Sequence, residues 1–307
     1  MFIKSFFRKG VFCYITDKDY RIYYNSEHYN MNHEMPDDKY LSHVFRYKMG
    51  YELNLKQPRS FNEKLQWLKL HDRRPEYTVM ADKYEAKNYI ANRIGKQYII
   101  PSLGVWNHFD EIDLDSLPEQ FILKCTHDSQ SYSICRNKAT WNKRKARKKL
   151  EQHLEQNLYY IYREWAYKDI KPRILAEKYM NNHGEDLIDY KIHNFNGVPK
   201  LILVCEGRFS SGNFTEAFLD LDWNILNVKR PGTSNAIITK KPDCLPEMLE
   251  LSRILSKDIP FLRTDFYIID GRPFIGELTF YPAAGLAPFE PESFDYELGS
   301  WLQLPSY

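Results

Sequence analysis

Residues 262–285, LRTDFYIIDGRPFIGELTFYPAAG, set two carboxylates, Asp265 and Glu277, inside two apolar runs joined by a tight turn. A carboxylate in a core-facing strand is costly unless something compensates it, so this hairpin limits the folds open to the chain. Side chains alternate faces along a strand. Phe266, Ile268, Phe274, Leu278 and Phe280 occupy even positions, while Arg263, Asp265, Glu277 and Thr279 occupy odd ones. A three-residue loop over 270–272 puts the two acids opposite each other on one face. A strict two-residue Asp270–Gly271 turn with regular pairing puts them on opposite faces. The shared apolar parity favours the three-residue loop. Facing acids repel unless a cation lies between them. Arg263 as a structural partner is one reading. A Mg²⁺ held by Asp265 and Glu277, with Thr279 adding an oxygen or a water, is the other. Spacing does not choose between them.

The 307 residues, 43% hydrophobic and 27% charged, suffice for a sizeable core and several lobes. A net charge of +2 gives no electrostatic signature of nucleic-acid binding. Five dispersed cysteines without a CxxC read as reduced thiols of a cytoplasmic protein, not as a disulfide frame or zinc site. Near the start, the longest uncharged run, Gly10–Thr16, is too short for a signal peptide core or a transmembrane segment. FIKSFFRKG interleaves Phe with Lys and Arg, the pattern of peripheral contact with an anionic membrane or an assembly complex on it; a simple packed terminus is the alternative.

Along the chain, SFNEKLQWLKLHDR opens with Ser60 as N-cap and Glu63 three residues on, a capping box. ADKYEAKNYIANRIG is a second helix, with Asp82 at its start and Gly95 at its end. QYIIPSLGVW (97–106) reads as a short strand and Pro turn. Strands at Phe121–Lys124 and Tyr132–Arg136 flank the polar stretch Thr126–Ser131. Residues 138–165 read as one long basic helix, and RILAEKYM (173–180) as a strand. Asn196–Gly197 centres a hairpin over 186–209. Residues 245–259 form an amphipathic helix before the acidic hairpin. The order predicts an α+β architecture of several lobes. No GxGxxG or GxxxxGK[ST] occurs.

Two lysines stand in apolar strands, Lys124 in FILKCTH and Lys191 in LIDYKIH. A strand lysine ordinarily points to solvent. Lys124, however, ends its strand just before a small polar loop containing Ser129, and such a loop offers backbone N–H groups to phosphate. AEKYM reads as an edge strand that presents backbone groups to an adenine.

Taken in order, SFNEKLQWLKLHDR, ADKYEAKNYI, LPEQFILKCTH, LIDYKIHNFNG and LRTDFYIIDGRPFIGELTFYP resemble the TupA-like ATP-grasp family, from about Phe45 onward. The resemblance implies an ATP-grasp fold in which two α+β lobes clasp ATP behind a helical N-terminal region. The lobes divide as 1–104 helical, 105–175 small lobe and 176–307 large lobe. It implies that Lys83, Lys124 and Lys191 contact phosphate, that Ser129 belongs to the ATP loop, and that Glu177, Lys178 and Tyr179 line the adenine. It further implies Mg²⁺ ligation by Asp265 and Glu277 with Thr279 in a third position. Arg263, with Lys191, would then steady the transferred phosphoryl group. The implied chemistry is ATP-dependent formation of an acyl phosphate, then of an amide. The family's link to cell-surface polysaccharide suggests a uronic acid and an amino acid or other amine as partners. One segment departs from the family: THDSQSYS has Asp128 and Gln130 where glycines are expected, placing negative charge near the triphosphate. Two other readings compete. A nucleotide-sugar glycosyltransferase also uses acids and a metal, although no DxD motif stands next to a Rossmann-like strand pattern. A non-catalytic ATP-grasp scaffold would account for the glycine-poor loop.

Overall fold

The computed structural model describes residues 13–181, 187–207, 214–235 and 240–306. Segment 2–10, with its interleaved Phe and basic residues, lies outside them. Strands β1 (Ser102–Trp106), β2 (Phe121–Cys125), β3 (Tyr132–Cys135) and β4 (Ile174–Lys178) form an antiparallel sheet in the order β1-β4-β2-β3. Along β2, Phe121, Leu123 and Cys125 are buried while Ile122 and Lys124 are only half-buried. The buried set packs with Ile174 and Ala176 of β4 against Ala146 and Leu150 of helix Lys143–Leu154. Period-two alternation therefore turns Lys124 to the opposite face.

Three expectations are corrected in this region. β4, which contains Glu177 and Lys178, lies between β1 and β2 and is not an edge strand. The long helix expected over 138–165 is two helices, Lys143–Leu154 and Leu158–Tyr162. Asn157 separates them, because its side chain accepts the Tyr159 N–H and starts a new helix. The short strand expected ahead of the Pro101 turn is replaced by a single 3₁₀ turn, Lys96–Tyr98, and β1 begins only after Pro101.

Strands β5 (Asp189–Phe195), β6 (Val198–Glu206), β7 (Thr215–Leu219), β8 (Ser234–Asn235), β9 (Phe261–Ile269) and β10 (Arg272–Thr279) form the second sheet, ordered β10-β9-β5-β6-β7-β8. All neighbours are antiparallel except β7 and β8. Asn196 and Gly197, at φ 49° and 79°, close the expected hairpin between β5 and β6. Helix Leu245–Leu255 covers one face through Leu245, Met248 and Leu255. Helices Phe61–His71, Pro75–Ala81 and Glu85–Ile94 join the same core. Ser60 and Glu63 make the predicted capping box, and the Asp82 carboxylate accepts the N–H groups of Tyr84 and Glu85. Helices Lys18–Tyr29 and Asp37–Met49 pack separately, with Ala284 and Leu286. The four-stranded sheet takes in residues on both sides of positions 104/105 and 175/176, reaching from Ser102 to Lys178.

The acidic hairpin reaches its register by an unexpected route. Arg272 pairs with Ile269, so the turn is two residues, Asp270 and Gly271, both at positive φ. Continued regularly, that turn would have put the acids on opposite faces. A bulge at Gly276 inserts one residue, after which Glu277 pairs with Asp265 and Thr279 with Arg263. Before the bulge Ile275, not Phe274, shares the apolar face with Phe266. A Cβ on Gly276 would lie 2.7 Å from the Tyr267 ring, so glycine suits the close approach here.

Candidate active site

The register builds a polar grid on one face of the large sheet. Glu277, Asp265 and Lys191 stand side by side on β10, β9 and β5, and Thr279, Arg263 and His193 form the neighbouring row. Arg263 donates Nε to Asp265 Oδ1 at 2.6 Å and Nη2 to Oδ2 at 2.7 Å. Lys191 Nζ donates to the same Oδ2 at 2.6 Å and lies 3.5 Å from Asp189. Burial alone would raise the Asp265 carboxyl; the two cations override it and hold it down at about 2. The Thr279 hydroxyl accepts from Arg263 Nη2 at 3.1 Å. Glu277 is freer: its side chain is 31% exposed, and Lys83 Nζ lies 3.9 Å away.

Arg263 and Asp265 form the ion pair, while Glu277 keeps a carboxylate open to the cleft. Among the described residues no group of three or more His, Cys, Asp or Glu side chains is placed to hold a metal alone. The donor set fits Mg²⁺ that takes most of its oxygens from phosphate and water, with one or two carboxylates. Glu277, with Asp265 directly opposite it, would hold it.

The small sheet supplies the opposite wall. Glu177, 4% exposed, lies 2.6 Å from both Lys124 Nζ and Lys87 Nζ. Burial would raise this carboxyl as well, but the two lysines bring it below its ordinary value. Lys87 lies in the helix Glu85–Ile94, four residues after Lys83, which precedes that helix. It escaped sequence reasoning, although the i, i+4 spacing and the acid in AEKYM were visible. Lys83 donates to the Asp128 carbonyl. The Asp128 carboxylate is withdrawn: it is 1% exposed, lies 2.5 Å from His153 Nδ1, and accepts from the Ser131 hydroxyl. Its charge is spent on the loop's own anchoring, while Ser129 and Gln130 face the cleft.

Between the walls lies a cleft of about 830 Å³. Lys83, Lys124, Ser129, Glu177, Lys178, Tyr179, Lys191, Arg263, Asp265, Glu277 and Thr279 all line it. So do Lys48, Glu164 and Arg230, which no local pattern had marked. Burial and the charges of Arg263 and Arg230 push the His193 imidazole from 6.5 down to about 3. Its folded value is below its unfolded one, so the unfolded chain takes up the proton first. Stability is therefore expected to fall as pH drops from about 6.5 to about 3, by roughly 4 kcal/mol at about 1.4 kcal/mol per unit. His193→Gln should flatten this limb in urea unfolding midpoints measured across that range. An unchanged slope would show that the folded protein accepts the proton.

The sequence model of the family described as TupA-like ATPgrasp matches residues 63–303. No curated protein matches the chain. Among solved structures, it is similar to D-alanine–D-alanine ligase from Bacillus anthracis complexed with ATP. That match has 13% identity and a TM-score of 0.38, over 66% of this chain and 54% of the ligase. A RimK domain ATP-grasp protein from Sphaerobacter thermophilus gives 9% and 0.39, over 74% and 69%. Biotin carboxylase from Campylobacter jejuni gives 13% and 0.39, over 80% and 49%. The chain thus spans little more than half the length of the Bacillus ligase.

Proposed function

The chain belongs to the TupA-like ATP-grasp family, and from that premise we propose that it is an ATP-dependent carboxylate–amine ligase. The observation that carries this reading is the cleft between the two sheets, with cations on both walls and one open carboxylate. Lys83 and Lys124 face the phosphates from the small-lobe side, and Lys191 and Arg263 from the large sheet. Glu177, locked by Lys87 and Lys124, keeps those two ammonium groups in place. Lys178 and Tyr179 continue from β4 along the same wall as the adenine-lining segment.

The chemistry is two displacements. A substrate carboxylate attacks the γ-phosphate, ADP leaves, and an acyl phosphate forms. An amine then attacks the acyl carbon and phosphate leaves. Arg263, fixed by Asp265 and Thr279, presents its guanidinium where charge builds on the transferred phosphoryl group. Lys191 offsets charge on the same side. Glu277 and Asp265 would hold a Mg²⁺, which would supply neutralisation of phosphate charge. Closure of the two sheets over the cleft would keep water from the acyl phosphate.

We take the acid to be a uronic acid of a cell-surface polysaccharide and the acceptor an amino acid or other amine. The support for this is the family resemblance. Incubation with Mg-ATP, glucuronic acid and a panel of amino acids is expected to release ADP only when acid and amine are both present. Release of UDP from a UDP-sugar, without ATP use, would overturn the ligase reading in favour of glycosyl transfer. Calorimetry showing no Mg-ATP binding to the folded chain would favour a scaffold. The withdrawal of the Asp128 carboxylate from the cleft speaks against the scaffold reading.

A further inference from the structure

The second displacement makes a demand on the cleft. An amine arrives as an ammonium ion, and it must lose a proton before its nitrogen can attack. Among the described residues no histidine lines the cleft. Four of its carboxylates already face cations: Glu177 faces Lys87 and Lys124, Asp265 faces Arg263 and Lys191, Asp189 faces Lys191, and Glu277 faces Lys83.

Glu164 differs. It lies just before the 3₁₀ turn Trp165–Tyr167 on the cleft wall and is 7% exposed. Among the described residues its side chain makes no ion pair within 4 Å and no hydrogen bond. Lys69, the buried cation that acts on it, has placed its ammonium on three oxygens instead: Gln66 Oε1, the Tyr162 carbonyl and the Ala284 carbonyl, each at 2.8 Å. Arg263 and Glu277 act on Glu164 from the large sheet. Tyr162, Tyr167 and Tyr281 are its aromatic neighbours, each feeling its charge. Burial raises all three phenols above their ordinary value, so none is a base near neutral pH.

We propose that Glu164 and the tyrosines around it form the site for the amine substrate, with Glu164 receiving the ammonium group and taking one of its protons. A buried carboxylate without an ion pair, among three tyrosines that line the same cleft, is the chemistry that recognises a primary ammonium. The assignment rests on the ligase reading above. In the step itself, the ammonium gives one proton to Glu164. The nitrogen lone pair forms the C–N bond, and the C–O bond to phosphate breaks with its electrons on the leaving oxygen. The second nitrogen proton leaves with the phosphate as hydrogen phosphate, and Glu164 returns its own proton to water. Burial, opposed by Lys69 and Arg263 and helped by Glu277, raises the Glu164 carboxyl above its ordinary value, towards the range that suits a general base.

The test uses the full chain with ATP, Mg²⁺ and glucuronic acid. The acyl phosphate is trapped either by hydroxylamine, which is uncharged at neutral pH, or by the best amino acid of the panel, which is not. Glu164→Gln is expected to keep hydroxamate formation within about threefold and to lose amide formation by about 10²-fold or more. The lost activity should recover at alkaline pH, where free amine is present. Glu164→Asp should keep part of the amide activity and its rise with pH, and Mg-ATP affinity, read by calorimetry, should not change in either variant. Loss of both products alike, or of neither, in a variant that still binds Mg-ATP overturns the Glu164 assignment alone. Should both variants fail to bind Mg-ATP, Glu164 is structural and the assignment falls. Absence of hydroxamate with the native chain overturns the ligase reading and this one with it.

Discussion

Asp265→Asn is expected to lower the unfolding free energy by about 3–5 kcal/mol, because it strands two buried cations. The choice between a large and a small effect turns on exposure. Ion pairs at the surface contribute about 0–1 kcal/mol. Here the Arg263, Asp265 and Lys191 side chains are 11%, 5% and 4% exposed, and Asp265 accepts three hydrogen bonds from these two cations. Asparagine keeps the size but gives no charge, leaving Asp189, 3.5 Å from Lys191, as the acid on that cation. Urea unfolding should show a lower midpoint with an unchanged slope. A loss under about 1 kcal/mol would mean that water compensates the pair and that its role is not structural. The pH dependence has a fixed sign. The Asp265 carboxyl is depressed in the fold, so its contribution is complete above its ordinary value of 3.8 and fades as pH falls towards about 2. Acid weakening should therefore begin with His193 at milder pH and end with Asp265.

What the sequence made legible was local. Ser60 and Glu63 lie three residues apart, and their capping box depends on nothing else. Asn196–Gly197 carries its turn in its own backbone preferences. The facing of Asp265 and Glu277 was reached for the wrong reason: parity demanded one extra residue, and the chain inserts it at Gly276 rather than in the turn. A bulge leaves no stronger mark than a glycine in a strand. Strand order is a tertiary choice, so nothing within AEKYM told an edge from an interior position. Asp128 shows the same limit. Judged by its neighbours in sequence its charge opposed a phosphate site, but His153, on the following helix, removes it from the cleft. Glu164 and Arg230 carry no pattern at all; they matter because of the cleft that other segments build around them.

Glu277→Gln is expected to cut turnover by at least about a hundredfold, the scale of loss when one electrostatic contact to developing charge is removed, and to change stability by no more than about 0.5 kcal/mol. The two halves follow from one observation. Glu277 stands directly opposite Asp265, yet among the described residues it has no donor closer than Lys83 at 3.9 Å, and its side chain is 31% exposed. The fold spends little on holding it, so glutamine fits without leaving a buried charge unpaired. As ligand to a phosphate-bound Mg²⁺, by contrast, the carboxylate supplies charge that an amide does not. Urea unfolding checks the stability half, and ADP release in the presence of acid and amine checks the turnover half. Affinity for Mg-ATP should fall more than affinity for ATP in chelator, which separates a metal role from a direct contact with nucleotide. Turnover retained within threefold would remove Glu277 from the metal site. The hairpin's acids would then be explained by the Arg263 ion pair alone.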